Sequence, residues 1–94
     1  MLVINAEYID AAKKADLVAR LKSIEGQARG IVRMLENDRD CLDIIDQLAA
    51  LRGATQAVAL QALEVFAGHC LRASDADKEQ ILAQVVNAIS RLTR

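Results

Sequence analysis

Proline and tryptophan are absent from this chain of 94 residues, and its aromatics are confined to Tyr8 and Phe66. A sheet sandwich or barrel draws on aromatic and turn residues, and no stretch here alternates strictly between apolar and polar. An all-β fold is therefore excluded. No apolar run approaches the ~18 residues of a membrane-spanning helix, so no membrane partner is expected. The opening Met1-Leu2-Val3-Ile4-Asn5 lacks the basic leader and the length of a secretory signal, which makes a cytoplasmic protein the expectation. Neither an acid/base pair nor a cofactor-cradling loop accompanies the two cysteines. The chain is thus read as no enzyme, with no cofactor.

What the sequence does have is aliphatic: apolar residues make up 53% and charged residues 27%. Such a composition without proline is helical as a rule. Residues 1–94 read as a single all-α domain of three helices. The first starts near Ala6 to Asp10 and runs to about Glu36, with Leu17, Leu21, Ile24, Ala28, Ile31 and Leu35 at heptad-like spacing. Asn37-Asp38-Arg39-Asp40 interrupts it, and Asp38 or Asp40 is placed to cap the second helix, Cys41 to Cys70. A polar link, Ala73 to Asp77, with Ser74 or Asp75 as cap, leads to a third helix carrying Ile81, Leu82, Val85, Val86, Ile89 and Leu92. Short links predict antiparallel neighbours. A domain this small with so many aliphatic faces is marginal alone, and oligomerisation is its outlet.

The net charge is only −1, but it is unevenly distributed. From Lys13 to Arg33 the balance is +4, and from Met34 to Asp46 it is −4. At roughly 100° per residue, Lys22, Arg29 and Arg33 share one stripe of the first helix, opposite its Leu/Ile seam. The plain interpretation is a solvated face. The sharper one is a phosphate-binding surface repeated by oligomerisation. Without interleaved aromatics it suits duplex rather than single-stranded nucleic acid.

Cys41 and Cys70 are separated by about eight helical turns, sharing a face within roughly 20° but lying about 43 Å apart. An intrachain disulfide, which needs Cα atoms within about 7 Å, is excluded on such a helix. Two copies laid antiparallel about a two-fold axis near Thr55 bring Cys41 of one to Cys70 of the other, twice. Ile45, Leu48, Ala59, Leu63 and Phe66 line the same face, with Gly53 and Ala54 expected to permit close approach at the midpoint. Two buried, inert thiols are the competing interpretation. His69 sits about 100° from Cys70 around the helix, and a lone histidine there is more often a surface or cap residue than a functional one.

Against this background, Arg20-Leu21-Lys22-Ser23-Ile24-Glu25-Gly26-Gln27-Ala28-Arg29-Gly30-Ile31 resembles the R-L-K-x-I-E-G-Q-x-R-G-I signature of the copper-, nickel- and formaldehyde-sensing repressors, the CsoR/RcnR/FrmR family. Asp38-Arg39-Asp40-Cys41-Leu42-Asp43-Ile44 is similar to its D-R-x-C-x-D-I segment, and Gln47 to Ala54 and His69-Cys70 continue in register. The resemblance covers about residues 16 to 90. It implies an all-helical homodimer, usually assembling to a homotetramer, that binds operator DNA without a helix-turn-helix. It also implies release of the DNA when an inducer reaches the intersubunit cysteine site.

Copper sensors of the family join the second-helix cysteine to a histidine and a cysteine of the partner chain. Those positions here read Cys41, Phe66 and Cys70, so the histidine ligand is missing, and Asp40 stands where a tyrosine is common. The nickel and formaldehyde types lack their histidines here as well. Two cysteines without the histidine resemble the persulfide-sensing branch, the CsoR-like sulfurtransferase repressor (CstR), which controls sulfide-detoxification genes. The expected inducer is then a reactive sulfur species that links the two thiols through a di-, tri- or tetrasulfide. Cys41, at a helix N-terminus, is the expected nucleophile, with Phe66 and His69 lining the pocket. Arg20, Lys22, Arg29, Arg33 and Arg52 are the expected DNA contacts. Arg52, on the sulfur face, is equally suited to an interface salt bridge. The alternatives are Cu(I) held by Cys41 and Cys70, since thiolates select it, and a helical adaptor or sulfur-carrying subunit that binds no DNA.

Overall fold

Asp10 caps the first helix. Its carboxylate accepts hydrogen bonds from the backbone N–H groups of Ala12 (2.8 Å) and Lys13 (3.3 Å), satisfying donors that a helix start leaves unpaired. The computed structural model describes residues 9–71 and 78–93. They form three helices, α1 (Ala11–Glu36), α2 (Cys41–Leu71) and α3 (Lys78–Leu92). The first therefore begins just beyond the range expected from the sequence, at the residue after its cap. The expected cap of α3 at Ser74 or Asp75 lies outside the described residues.

The corner between α1 and α2 is closed by backbone geometry. Asp38 takes a left-handed conformation (φ 55°). Its N–H donates to the carbonyl of Leu35 (3.3 Å), and that of Arg39 donates to Met34 (3.0 Å). This pair of bonds ends a helix in a Schellman turn, with an aspartate where glycine is usual. Asp40 then caps α2, its Oδ1 accepting from Leu42 N–H at 2.9 Å. Of the two expected caps, Asp40 takes the role, and Asp38 supplies the reversal.

The helices pack in sequence, α1 on α2 and α2 on α3. Asp16 meets Gln61 near the open end of the α1–α2 hairpin, whereas Arg20 and Ile24 border Ala57 and Ala54, so the two run antiparallel. Their shared core is thin. Among the described residues the buried apolar side chains are Leu17 and Ile31 of α1 and Ile44 and Val58 of α2. The heptad-like seam of α1 is therefore split: Leu17 and Ile31 are buried and Ile24 and Ala28 half-buried, while Leu21 and Leu35 stay exposed together with Val18 and Val32.

The chain is extended and open for its length. Its radius of gyration is 17.2 Å, against about 12 Å for a compact chain of this length. Its accessible surface is 7053 Å², against roughly 5,300 Å² for a compact monomer of this mass. The excess, about 1,700 Å², is on the scale of one partner's share of an extensive permanent interface. Large aliphatic residues are exposed on every helix, including Leu42, Ile45, Leu48 and Leu60 of α2 and Leu82, Val86 and Ile89 of α3. Exposed apolar surface on this scale marks interaction faces. Among the described residues no helix is long and apolar enough to cross a membrane.

Candidate sensor face and basic surface

α2 runs unbroken for 31 residues, since nothing in it interrupts the backbone hydrogen bonding and Asp40 starts it cleanly. Cys41 is its first residue, an exposed free thiol. Cys70 belongs to the last turn of the same helix. The side chains of His69 and Cys70 lie outside the described residues, as does any contact between them. At ~1.5 Å rise per residue the two cysteine positions stand about 43 Å apart on one face. A site that uses both sulfurs must therefore be assembled from two chains.

Between them the sulfur face is carbon. Ile45 and Leu48 are 57% and 46% exposed, while Ala59, Leu63 and Phe66 are half-buried. The face that packs on α1, marked by Ile44 and Val58, lies roughly 60–100° to one side, so the protomer leaves the N-terminal half of the sulfur face uncovered. Phe66 offers no donor atom. Among the described residues of a single protomer, no three His, Cys, Asp or Glu side chains converge as a metal site would require.

One expectation is corrected by helical phase. Gly53 lies about 100° from the sulfur face, and a Cβ added there would meet nothing within 4 Å. Ala54 turns the other way and, half-buried, borders a groove with Arg20, Ala57 and Val58. The midpoint of the sulfur face is instead Arg52, Thr55 and Ala59, with the Thr55 hydroxyl donating to the carbonyl of Leu51 at 2.8 Å.

The basic residues do not form one surface within the protomer. Lys22, Arg29 and Arg33 are exposed on a single stripe of α1, and Arg29 is ion-paired with Glu25. Arg20 is on the opposite flank, roughly 140–180° away, with its Nε 3.3 Å from Asp16 Oδ2. Both pairs have the favourable i,i+4 spacing with the acid first. Both are exposed, so each adds little to stability by itself. Arg52 is exposed and has no ion pair among the described residues. Its expected salt bridge is not made within the described residues.

Two residues that the sequence motifs do not mark as partners join the helices. Gln61 Nε2 of α2 donates to Asp16 Oδ2 of α1 at 2.6 Å, while Gln61 Oε1 is buried without a partner. The Gln61 bond is the main cause that holds the Asp16 carboxyl below its usual range. Desolvation opposes it, and the charge and hydrogen bond of Arg20 reinforce it. The Asp16–Arg20 spacing was readable in sequence. Gln61 was not, because nothing local marks a contact 45 residues distant.

The described residues thus form three helices with exposed apolar faces, a thiol at the head of α2 and basic residues on both flanks of α1. The chain belongs to the metal-sensitive transcriptional repressor family, whose model matches residues 13–91. It is 40% identical over 84 residues to the copper-sensing transcriptional repressor CsoR of Bacillus subtilis, covering 87% of this chain and 83% of that protein. It is 37% identical over 86 residues to the copper-sensing transcriptional repressor RicR of Mycobacterium tuberculosis, covering 87% and 90%. Its fold is similar to that of the copper-sensing repressor CsoR with Cu(I) from Geobacillus thermodenitrificans, with a TM-score of 0.78, 33% identity, and 100% and 95% of the two chains covered. These relatives are named as repressors rather than enzymes, which also weighs against the adaptor and sulfur-carrier alternatives.

Proposed function

We propose that this chain is a cytoplasmic repressor that binds operator duplex DNA in its reduced form, as a homodimer assembling to a homotetramer, and leaves it when a reactive sulfur species bridges Cys41 to Cys70 of the partner chain. The observation that carries the reading is the donor set of the sulfur face. Both cysteine positions share it with Phe66, Leu63, Leu48 and Ile45, and Phe66, one turn before Cys70, carries no donor atom that could complete a trigonal metal site. The apolar faces left open on α2 and α3 support the assembly.

The chemistry balances without a cofactor. The Cys41 thiolate attacks a sulfane sulfur of a polysulfide, forming an S–S bond and expelling the shortened donor as a thiolate. The partner's Cys70 thiolate then attacks the inner sulfur of that persulfide. It closes an interchain disulfide and releases hydrosulfide, which carries the electron pair. When both cysteines are persulfidated, the same attack leaves a trisulfide, and longer donors leave longer bridges. In each case the sulfane sulfur is the oxidant. The cross-link pulls the head of one α2 against the tail of the other and changes how the basic flanks of the α1 helices are presented. Phosphate contacts by Lys22, Arg29, Arg33, Arg20 and Arg52 supply most of the affinity. A coupling of ~3 kcal/mol between the sites loosens DNA about 150-fold.

The second reading keeps the repressor and makes Cu(I) the inducer, held by the two thiolates. The copper-sensing relatives at 40% and 37% identity favour it. Intact mass spectrometry after treatment with sodium tetrasulfide or, separately, anaerobic Cu(I), with duplex binding measured on the same samples, decides between them. The sulfur reading expects a two-protomer mass carrying whole added sulfur atoms and loss of DNA binding. A tight complex of one Cu(I) per site that abolishes DNA binding, with tetrasulfide leaving the DNA complex intact, would overturn it.

A further inference from the structure

The bond between Asp16 and Gln61 is the side-chain hydrogen bond that ties α1 to α2 among the described residues. It is an unusual place for a polar side chain. Gln61 leaves its Oε1 buried and unpartnered within the protomer in order to deliver Nε2 to a single carboxylate oxygen. An apolar side chain of the same length would avoid that loss, since an unsatisfied buried acceptor costs about 1–3 kcal/mol. Stability alone therefore does not account for the residue. What the bond does accomplish lies one step further on. The same oxygen, Asp16 Oδ2, also accepts from Arg20 Nε at 3.3 Å. Arg20 is the basic residue set apart from the Lys22, Arg29 and Arg33 stripe, and its pairing through Nε leaves both terminal guanidinium nitrogens to donate to a phosphate.

We infer that Gln61 is a positioning residue for Arg20: acting through Asp16, it makes the placement of a DNA-contacting guanidinium on α1 depend on the position of α2, the helix that carries both cysteines. The inference rests on the repressor reading above. An exposed arginine on an isolated helix samples many rotamers, and an i,i+4 pair by itself restrains it weakly. Anchoring the carboxylate to a second helix removes that freedom. The anchor is also sensitive to displacement. A movement of α2 away from α1 by about 1 Å along the bond takes the 2.6 Å distance to about 3.6 Å, past the range of a hydrogen bond, and frees the carboxylate that orients Arg20. The thiols and the basic flank are thereby linked through two named side chains within one protomer.

The test is a double-mutant cycle in the full chain, with duplex operator binding measured across a salt series and with melting followed alongside. Gln61→Leu should fold and melt no lower than the parent, because it removes the unpartnered acceptor. It should nevertheless weaken DNA binding about fivefold or more and lower the log–log salt slope by about 0.9 for each phosphate that is no longer neutralised. Arg20→Gln should do the same, and the double variant should be no weaker than Arg20→Gln alone. Gln61→Met serves the same measurement where the branched side chain disturbs packing. Asp16→Ala gives a test of opposite sign: removal of a negative charge alone tightens DNA binding, whereas loss of positioning weakens it. Unchanged affinity and slope in Gln61→Leu, effects that simply multiply in the double variant, or tighter binding by Asp16→Ala each overturn the inference. Arg20→Gln binding like the parent overturns it together with the DNA role of Arg20, while a parent chain without duplex affinity removes the repressor reading itself.

Discussion

Phe66 lies about seven helical turns from Cys41 on the same face of the unbroken α2 helix. In an antiparallel pair of such helices its ring falls opposite Ile45 of the mate, one turn from the mate's Cys41. Both Phe66 and Ile45 offer carbon alone, so neither would add a donor atom beside the sulfurs.

Phe66→His introduces a nitrogen donor at that position. Cu(I) affinity should rise at least about tenfold, since a third ligand completes a trigonal site for a soft ion. Competition with a Cu(I) chelator measures it. In parallel, Cys41→Ser should retain DNA binding and lose the response to tetrasulfide. A Cys41→Ser protein that still leaves DNA on treatment contradicts the assignment of the nucleophile.

Leu48→Glu places a charge on the uncovered apolar face of α2, where the native side chain is 46% exposed in the protomer. If that face is covered by a second chain, the variant should sediment as a monomer or lose most of its helicity, because the core within one chain is thin among the described residues. Charge burial in an interface costs several kcal/mol. Sedimentation and circular dichroism identical to the parent would place the dimer elsewhere.

Asp40→Ala removes the side-chain acceptor that holds Leu42 N–H at 2.9 Å. The loss should be about 1 kcal/mol, and Asp40→Asn should recover most of it because its amide oxygen caps as well. Thermal melting of the three proteins at one concentration checks both, the concentration being held because oligomerisation contributes to the melting temperature.

Asp16 makes a prediction in pH. Its carboxyl titrates below its ordinary 3.8 in the folded chain, held down first by the Gln61 hydrogen bond and then by Arg20 against an opposing desolvation. The folded state thus binds fewer protons than the unfolded one in that window. The Asp16 contribution is present above pH 3.8 and is lost as pH falls through the lower folded value. Asp16→Asn keeps an acceptor oxygen but cannot titrate, so the fall in melting temperature below pH 4 should be shallower. An acid limb unchanged by the substitution would show that the Asp16 bonds do not persist in solution.

Much of the molecule was readable before any coordinates. The lack of proline and the aliphatic spacing set three helices. The acidic caps marked where the second began, and the interval between Cys41 and Cys70 put both on one face of it, because helical phase is a property of the chain alone. The family signature from Arg20 to Ile31 reached the class of protein. Tertiary structure was needed wherever the outcome depended on which side of a helix its neighbour occupies. It split the α1 seam into buried Leu17 and Ile31 and exposed Leu21 and Leu35. It also tied Arg20, through Asp16, to Gln61. Periodicity tells a helix which residues share a face, but only packing against another helix selects the face that is covered, and a hydrogen bond between distant residues exists only once that choice has been made.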